Sequence, residues 1–114
     1  MNTSVAIDVD IMFRAFSDRT RLRILNMLRG GELCVCEIVQ VLGVPQPKTS
    51  RHLAYLRKSG LVIGRKEGLW MYYKLAAPQN TFHKKLLDCL ACCFQEVPEL
   101  AKEDKRLGRP RKCC

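Results

Sequence analysis

The sequence lacks a long apolar run. None of its 114 residues lies in an uninterrupted hydrophobic stretch of the roughly 20 residues that a membrane-spanning helix needs. The N-terminus, MNTSVAIDVDIM, also lacks the basic start and the apolar region of a secretory signal. We therefore expect one compact domain that has no membrane contact and is cytoplasmic.

The sequence also lacks the residue combinations on which enzyme active sites depend. It contains no pair of carboxylates in a catalytic motif, no nucleophile with a neighbouring base and no phosphate-cradling glycine loop. Its cysteines and histidines have no third group beside them that would orient a proton transfer. We expect that the protein is not an enzyme and has no catalytic cofactor.

Acidic residues are absent from the centre of the chain. Residues 38–66 include no Asp or Glu, and the net charge of the whole chain is +9. The basic residues of this stretch are Lys48, Arg51, Arg57, Lys58, Arg65 and Lys66. A basic patch on a small domain favours binding to nucleic acid, and a solvated charged face is the alternative.

Apolar periodicity and glycine and proline positions predict a mainly α-helical domain with one β-hairpin. The hairpin covers residues 61–75, with a basic turn at its tip. The predicted helices run over residues 9–16, from a cap at Ser17 or Asp18 to Gly30, from Glu32 to Leu42, from Pro47 to Gly60, and over residues 81–95. The order α-α-α-α-β-β-α, with the short turn 43–45, is that of a winged helix-turn-helix. We expect residues 1–100 to form this domain and residues 101–114 to form a flexible, basic, cysteine-containing tail.

The fourth predicted helix has the composition of a DNA-recognition helix. Leu53 and Leu56 fall on its packing side, whereas the polar side chains gather in its N-terminal half, which such motifs direct into the major groove. The basic tip of the hairpin is suited to hold phosphate. The predicted DNA-binding residues are Gln46, Lys48, Thr49, Ser50, Arg51 and His52 on the helix and Arg65 and Lys66 on the hairpin.

Four motifs in this region carry a family resemblance. The segments ELCVC, QPKTSRHL, LRKSGLV and RKEGLWMYYKL follow one another between residues 32 and 75. In this order and spacing they resemble the ArsR/SmtB family of metal-responsive winged-helix repressors, and its arsenic-responsive branch in particular. The resemblance implies a homodimer, built mainly by the first and last helices, that binds palindromic operator DNA and leaves it when a thiophilic metalloid binds.

Seven cysteines in a reducing compartment argue against a disulfide framework, and their grouping favours soft-metal or redox chemistry. Trivalent arsenic or antimony is satisfied by three sulfurs, and the family's arsenic site resembles Cys-x-Cys-x-x-Cys. Cys34 and Cys36 match its first two positions, but the third is Val39. The third sulfur could come from Cys89, Cys92 or Cys93 on the last helix, from Cys113 or Cys114 in the tail, or from a small exogenous thiol. For the last-helix cysteines, packing in the core or at a dimer interface is the alternative.

The spacing of Cys34 and Cys36 suggests a switch. Side chains at i and i+2 of a helix diverge by about 200°, so the two sulfurs can share an ion only if the start of the third helix frays. We therefore expect the binding of As(III) or Sb(III) to distort that helix and to displace the recognition helix that follows it.

Three functions compete at this point. The first is a repressor induced by arsenite or antimonite. The second is a repressor that responds to another thiophile, such as cadmium, lead, a methylated arsenical or an oxidant. The third, of a different class, is a winged-helix interaction or metal-sequestering module that does not bind DNA, which the acid-free basic stretch argues against.

Overall fold

Five helices and a three-stranded sheet make up the computed structural model, which describes residues 9–92 and residue 98. The elements are α1 (Val9–Phe16), α2 (Arg19–Leu28), β1 (Leu33–Cys34), α3 (Val35–Leu42), α4 (Gln46–Lys58), β2 (Val62–Glu67), β3 (Trp70–Leu75) and α5 (Thr81–Cys92). The predicted winged helix-turn-helix is confirmed. The tail predicted over residues 101–114 lies outside the described residues, as do Cys93 and the last turn predicted for α5.

A core of leucine, isoleucine and methionine holds the helices together. Its fully buried members come from α2, α3, α4, the residue before β2, and α5: Ile24, Leu25, Ile38, Leu53, Leu56, Leu61 and Leu90. The helix that contributes most, α2, is capped by Asp18, whose carboxylate accepts a hydrogen bond from the Arg21 backbone N–H at 3.0 Å. This cap satisfies one of the amide donors that the first turn leaves free.

The turn between α3 and α4 is built as the sequence predicts. Gly43 ends α3 in the left-handed conformation, with φ of 70°, and its N–H donates to the carbonyl of Val39 at 2.9 Å. Pro47 lies in the first turn of α4, where its missing N–H costs nothing. Because the turn is short and both helices pack on α2, the orientation of α4 is set by the core.

The start of the third helix differs from the prediction. Leu33 and Cys34 form the short strand β1, which pairs antiparallel with β3 through Leu33 opposite Tyr73 and Cys34 opposite Tyr72. The helix begins only at Val35 because the backbone of Cys34 is extended, with φ of −72° and ψ of 147°. The apolar pattern could not separate these two strand residues from a helix start, since their pairing partners lie far away in the chain.

The three strands form one antiparallel sheet in the order β1-β3-β2. Hairpin β2–β3, the wing, pairs Val62 with Leu75 at its base and Glu67 with Trp70 at its tip. A Cβ atom added to Gly64 would come within 2.9 Å of the Tyr73 ring, so the wing requires glycine at this point. No helix within the described ranges is long and apolar enough to cross a bilayer.

Candidate DNA interface and thiol site

The exposed face of α4 presents polar side chains in its N-terminal half. Gln46, Lys48 and Arg51 are exposed, and Ser50 is partly exposed. Burial of Leu53 and Leu56 fixes the opposite side of the helix in the core. This half of α4 therefore offers hydrogen-bond donors and acceptors suited to the edges of base pairs in a major groove.

Thr49 does not belong to this face, contrary to its place in the predicted DNA-binding set. Its side chain is fully buried, and its hydroxyl donates to the Val44 carbonyl at 3.2 Å. The helical period places Thr49 on the same side as Leu53 and Leu56, so it stabilises the turn rather than contacting a ligand.

His52 is only partly exposed and faces α2. Its Nδ1 lies 3.9 Å from Oδ1 of Asp18, and 16% of its side chain is accessible. Burial lowers the pKa of His52; the nearby Asp18 carboxylate opposes this effect, and the charges of Arg21 and other basic residues add to it. His52 is therefore predominantly neutral at pH 7, and its side chain lies beside the α2 cap instead of projecting freely from the helix.

On the wing, Lys66 is exposed, whereas Arg65 is engaged by neighbouring side chains. Arg65 donates Nε to Glu32 at 2.9 Å and a terminal nitrogen to the same carboxylate at 2.8 Å. It also pairs with Glu67, and its guanidinium carbon lies 4.6 Å from the centre of the Tyr72 ring. To make its predicted contact with phosphate, Arg65 would therefore have to exchange its carboxylate partners for the phosphate.

Glu32 was not recognised from the sequence as part of any site. The hydrogen bond from Arg65 lowers the pKa of the Glu32 carboxyl, so the pair is ionised at neutral pH. The two residues are 33 positions apart, and no local motif signals their contact. The apolar tip of the wing was also missed: Leu69 is 95% exposed beside the half-exposed Trp70.

Cys34 and Cys36 form a close dithiol. Their sulfurs are 3.0 Å apart, with Cys34 buried and Cys36 exposed. The predicted divergence of about 200° does not apply, because Cys34 lies in β1 rather than in the helix. The helix start therefore does not have to fray for the two sulfurs to meet.

The protonation of this dithiol is set by the contact itself. The hydrogen bond with Cys34 raises the pKa of the Cys36 thiol, and burial adds to the effect. Glu37, in the first turn of α3, accepts a hydrogen bond from the Cys34 backbone N–H at 2.9 Å. This bond, which the sequence prediction did not include, holds the strand–helix junction in place.

The described part of the chain brings no third ligand to the dithiol. Val39 is partly buried, and no group of three His, Cys, Asp or Glu side chains suited to a metal ion occurs within residues 9–92. Cys89 is a partly buried residue of α5 that is not in a disulfide, whereas Cys92 is disulfide-bonded. Cys93, Cys113 and Cys114 lie beyond the described ranges.

The chain is similar to bacterial regulatory proteins of one family. Residues 18–63 match the family profile described as bacterial regulatory protein, arsR family. The arsenical resistance operon repressor of Escherichia coli K12 is 44% identical over 86 residues, which are 75% of this chain and 74% of that protein. Arsenic resistance transcriptional regulator ArsR2 of Pseudomonas putida KT2440 is 38% identical over 109 residues, 90% of this chain and 95% of that protein. The structure of HlyU from Vibrio cholerae superposes with a TM-score of 0.65 at 34% identity and covers 78% of this chain and 90% of that chain.

Proposed function

Because the chain belongs to the ArsR family of bacterial regulatory proteins, we propose that it represses transcription from operator DNA until arsenite or antimonite binds Cys34 and Cys36. The observation that carries this proposal is the 3.0 Å separation of the two sulfurs, at the junction that leads into the helix-turn-helix. Family membership also favours a DNA-binding regulator over the interaction or sequestering module that the sequence left open.

The DNA contacts are assigned to the exposed polar residues of α4 and the wing. Gln46, Lys48, Ser50 and Arg51 would enter the major groove, and Lys66 would bind phosphate. No acidic residue occurs in the sequence from residue 38 to residue 66, so α4 brings no repulsive charge to the DNA backbone, whereas on the wing the carboxylates of Glu32 and Glu67 lie beside Arg65.

A homodimer would bring two copies of α4 to the two half-sites of a palindromic operator. Its interface is assigned to α1 together with α5. In the single chain, Val9 and Phe13 lie one turn apart on the same side of α1 and are 44% and 52% exposed, which is a large apolar surface for one short helix. Phe13 also contacts Phe82 of α5 edge to face, with 5.6 Å between ring centroids, so the two helices form a continuous apolar surface.

The effector chemistry is a ligand exchange in which no electrons are transferred. Arsenite is As(OH)₃; at each thiol an As–S bond forms, an As–O bond breaks, and the thiol proton leaves with hydroxide as water. Cys34 and Cys36 supply two of the three sulfurs. The third would come from Cys89, Cys92, Cys93, Cys113, Cys114 or a small exogenous thiol, and Cys92 would first need reduction.

The described part of the site contains two paired thiols and no third ligand. This favours a second class of effector, one that needs two sulfurs. A monomethylated trivalent arsenical, CH₃As(OH)₂, has two exchangeable hydroxides, so Cys34 and Cys36 alone would satisfy it. Other thiophiles, such as cadmium, lead or an oxidant that joins the two sulfurs, would act on the same pair.

The test is operator release under reducing conditions. Purified protein is bound to the DNA upstream of its own gene, and arsenite, antimonite or methylarsenite is titrated while fluorescence anisotropy is recorded. We expect release of the wild type and retention of DNA by Cys34→Ser and Cys36→Ser. Release of the double variant at the wild-type effector concentration would overturn the assignment of the dithiol.

The third ligand is identified by a matched set of variants. Cys89→Ser, Cys92→Ser, Cys93→Ser and a truncation before Cys113 each remove one candidate group. The variant that weakens the response to arsenite, but not to methylarsenite, identifies the residue that supplies the third sulfur. If none does so, the exogenous thiol is tested by repeating the titration with a phosphine reductant in place of a thiol.

A further inference from the structure

One ion pair joins the wing to the segment that carries the dithiol. Glu32 directly precedes β1, and both of its carboxylate oxygens accept hydrogen bonds from the guanidinium of Arg65 in β2, at 2.8 and 2.9 Å. Cys34 follows Glu32 by two residues. The ion pair thus connects an element of the wing with the chain segment in which the effector would bind.

The strand register extends this connection across the sheet. Cys34 pairs with Tyr72 of β3, and Tyr72 pairs in turn with Arg65 of β2. Residues paired in this way lie in one row and project from the same face of the sheet. The side chains of Arg65 and Tyr72 are also in contact, because the guanidinium carbon lies 4.6 Å from the centre of the Tyr72 ring.

The ion pair is better suited to fixing geometry than to stabilising the fold. The side chains of Arg65 and Glu32 are 49% and 28% exposed, and solvent-exposed pairs contribute little to the free energy of unfolding. A two-pronged contact between guanidinium and carboxylate, however, fixes the relative orientation of the groups that carry it. A displacement of Glu32 would therefore be passed to Arg65 and to the adjacent Lys66.

We propose that Glu32 is a positioning residue that couples effector binding at Cys34 and Cys36 to the wing. This inference rests on the proposed function of the dithiol. Bond formation at the Cys34 sulfur shifts β1, Glu32 moves with the strand, and the Arg65 guanidinium follows. The wing then leaves the position in which Lys66 meets the phosphate backbone.

The chain offers a matched control for this coupling. Glu67 pairs with the same guanidinium, but it lies in β2 itself, two residues from Arg65. Glu32→Gln and Glu67→Gln each remove one negative charge beside Arg65, so both change the charge of this region by the same amount, and the ratio measured below cancels any difference in basal DNA affinity. Only Glu32→Gln breaks the two-pronged contact between Arg65 and the segment before β1, because an amide has a single acceptor oxygen.

The measurement is the ratio of operator Kd with saturating arsenite to operator Kd without it. A wild-type ratio of about 5 to 150 is typical of coupled sites. We expect Glu32→Gln to lower this ratio by a factor of about 2 to 30, while Glu67→Gln keeps the wild-type ratio. Arsenite affinity of the DNA-free protein, followed by the ultraviolet absorption of As–S bonds, should stay within twofold in both variants.

Equal ratios for Glu32→Gln and the wild type would overturn the inference, and so would an equal loss in both variants. If Glu32→Gln does not fold, the wild type supplies a second test by NMR. Arsenite should then shift the amide resonances of residues 65–69 of the wing, and unchanged resonances there would overturn the inference. A wild type that arsenite does not release from DNA would refute the proposed function instead, whatever the variants do.

Discussion

At the scale of single residues, the contact between Cys34 and Cys36 joins a buried thiol to an exposed one. The Cys36 thiol is exposed and the Cys34 thiol is buried, yet their sulfurs are 3.0 Å apart. The thiolate is the form that attacks an arsenical or an alkylating reagent. The raised pKa of Cys36 therefore makes the resting dithiol less reactive than an isolated surface cysteine, although it is well placed to bind an effector.

The pH dependence of Cys36 alkylation tests this property. Because the hydrogen bond with Cys34 raises the pKa of Cys36, its thiolate forms at higher pH, and its iodoacetamide reaction should have a midpoint above the value of about 8.5 for a free cysteine. In Cys34→Ala the midpoint should fall toward that value. Rates are read by mass spectrometry of the peptide that contains Cys36, and an unchanged midpoint in Cys34→Ala would contradict the assignment.

At the scale of helices and strands, the ends of α3 and α4 and the pairing of β1 position the candidate DNA interface and the thiol site. The turn at Gly43 and the position of Pro47 follow from local preferences, so the sequence was sufficient to predict the recognition helix. Strand β1 and the Glu32–Arg65 pair were not predictable in this way, because each depends on a partner more than 30 residues away. Thr49 was misassigned although its own helical period already pointed to the core.

The cap of α2 gives a prediction with a defined pH dependence. Burial opposes ionisation of Asp18, but hydrogen bonds from the backbone and the charges of His52 and Arg21 outweigh it and lower the pKa. A lowered pKa means that the charged cap stabilises the fold above the unfolded value of about 3.9, and that this contribution is lost as the pH falls through the folded value.

At pH 7, Asp18→Ala should lower the free energy of unfolding by about 1 kcal/mol, measured by urea denaturation. Asp18→Asn keeps a capping oxygen and is the matched control, with a smaller loss. The difference between the wild type and Asp18→Asn should shrink toward pH 3. A difference that grows on acidification would contradict the sign of the pKa shift.

The turn before the recognition helix supplies a second test at this scale. Gly43 has φ of 70°, a conformation that costs a residue with a side chain roughly 1 to 3 kcal/mol. Gly43→Ala should therefore lower the urea midpoint, whereas Gly43→Asn should lower it less because asparagine tolerates this conformation. Equal midpoints for Gly43→Ala and the wild type would show that the turn adapts without strain.

Apolar surface and charge are separated at the scale of the whole molecule. The basic face formed by α4 and the wing carries the proposed DNA contacts, while α1 exposes apolar side chains beside α5. The acid-free stretch could be seen in the sequence because its residues are contiguous. The exposed apolar residues of α1 could not be told from its buried ones in the sequence, because both kinds follow the same helical period. The packing of α1 against α2 distinguishes them.

The dimer is tested by placing charge on this apolar face. Phe13→Glu should yield a monomer in size-exclusion chromatography with light scattering, because the proposed interface would bury the charge without a partner. Operator affinity should fall more than tenfold, because a monomer carries one recognition helix and can occupy a single half-site. The dithiol of the monomer should still bind arsenite. Phe13→Leu is the apolar control, and a dimeric Phe13→Glu would exclude this face as the interface.

The unequal exposure of Cys34 and Cys36 has a consequence for the order of events in sensing. In the proposed sensing reaction, an arsenical from solution would meet the exposed Cys36 first and would reach the buried Cys34 by a second, intramolecular exchange 3.0 Å away. The first bond would involve only the exposed thiol of α3, and the second bond, to Cys34 in β1, would close the ring. A reagent with one reactive valence would therefore occupy the sensor as a competitor and leave the operator bound.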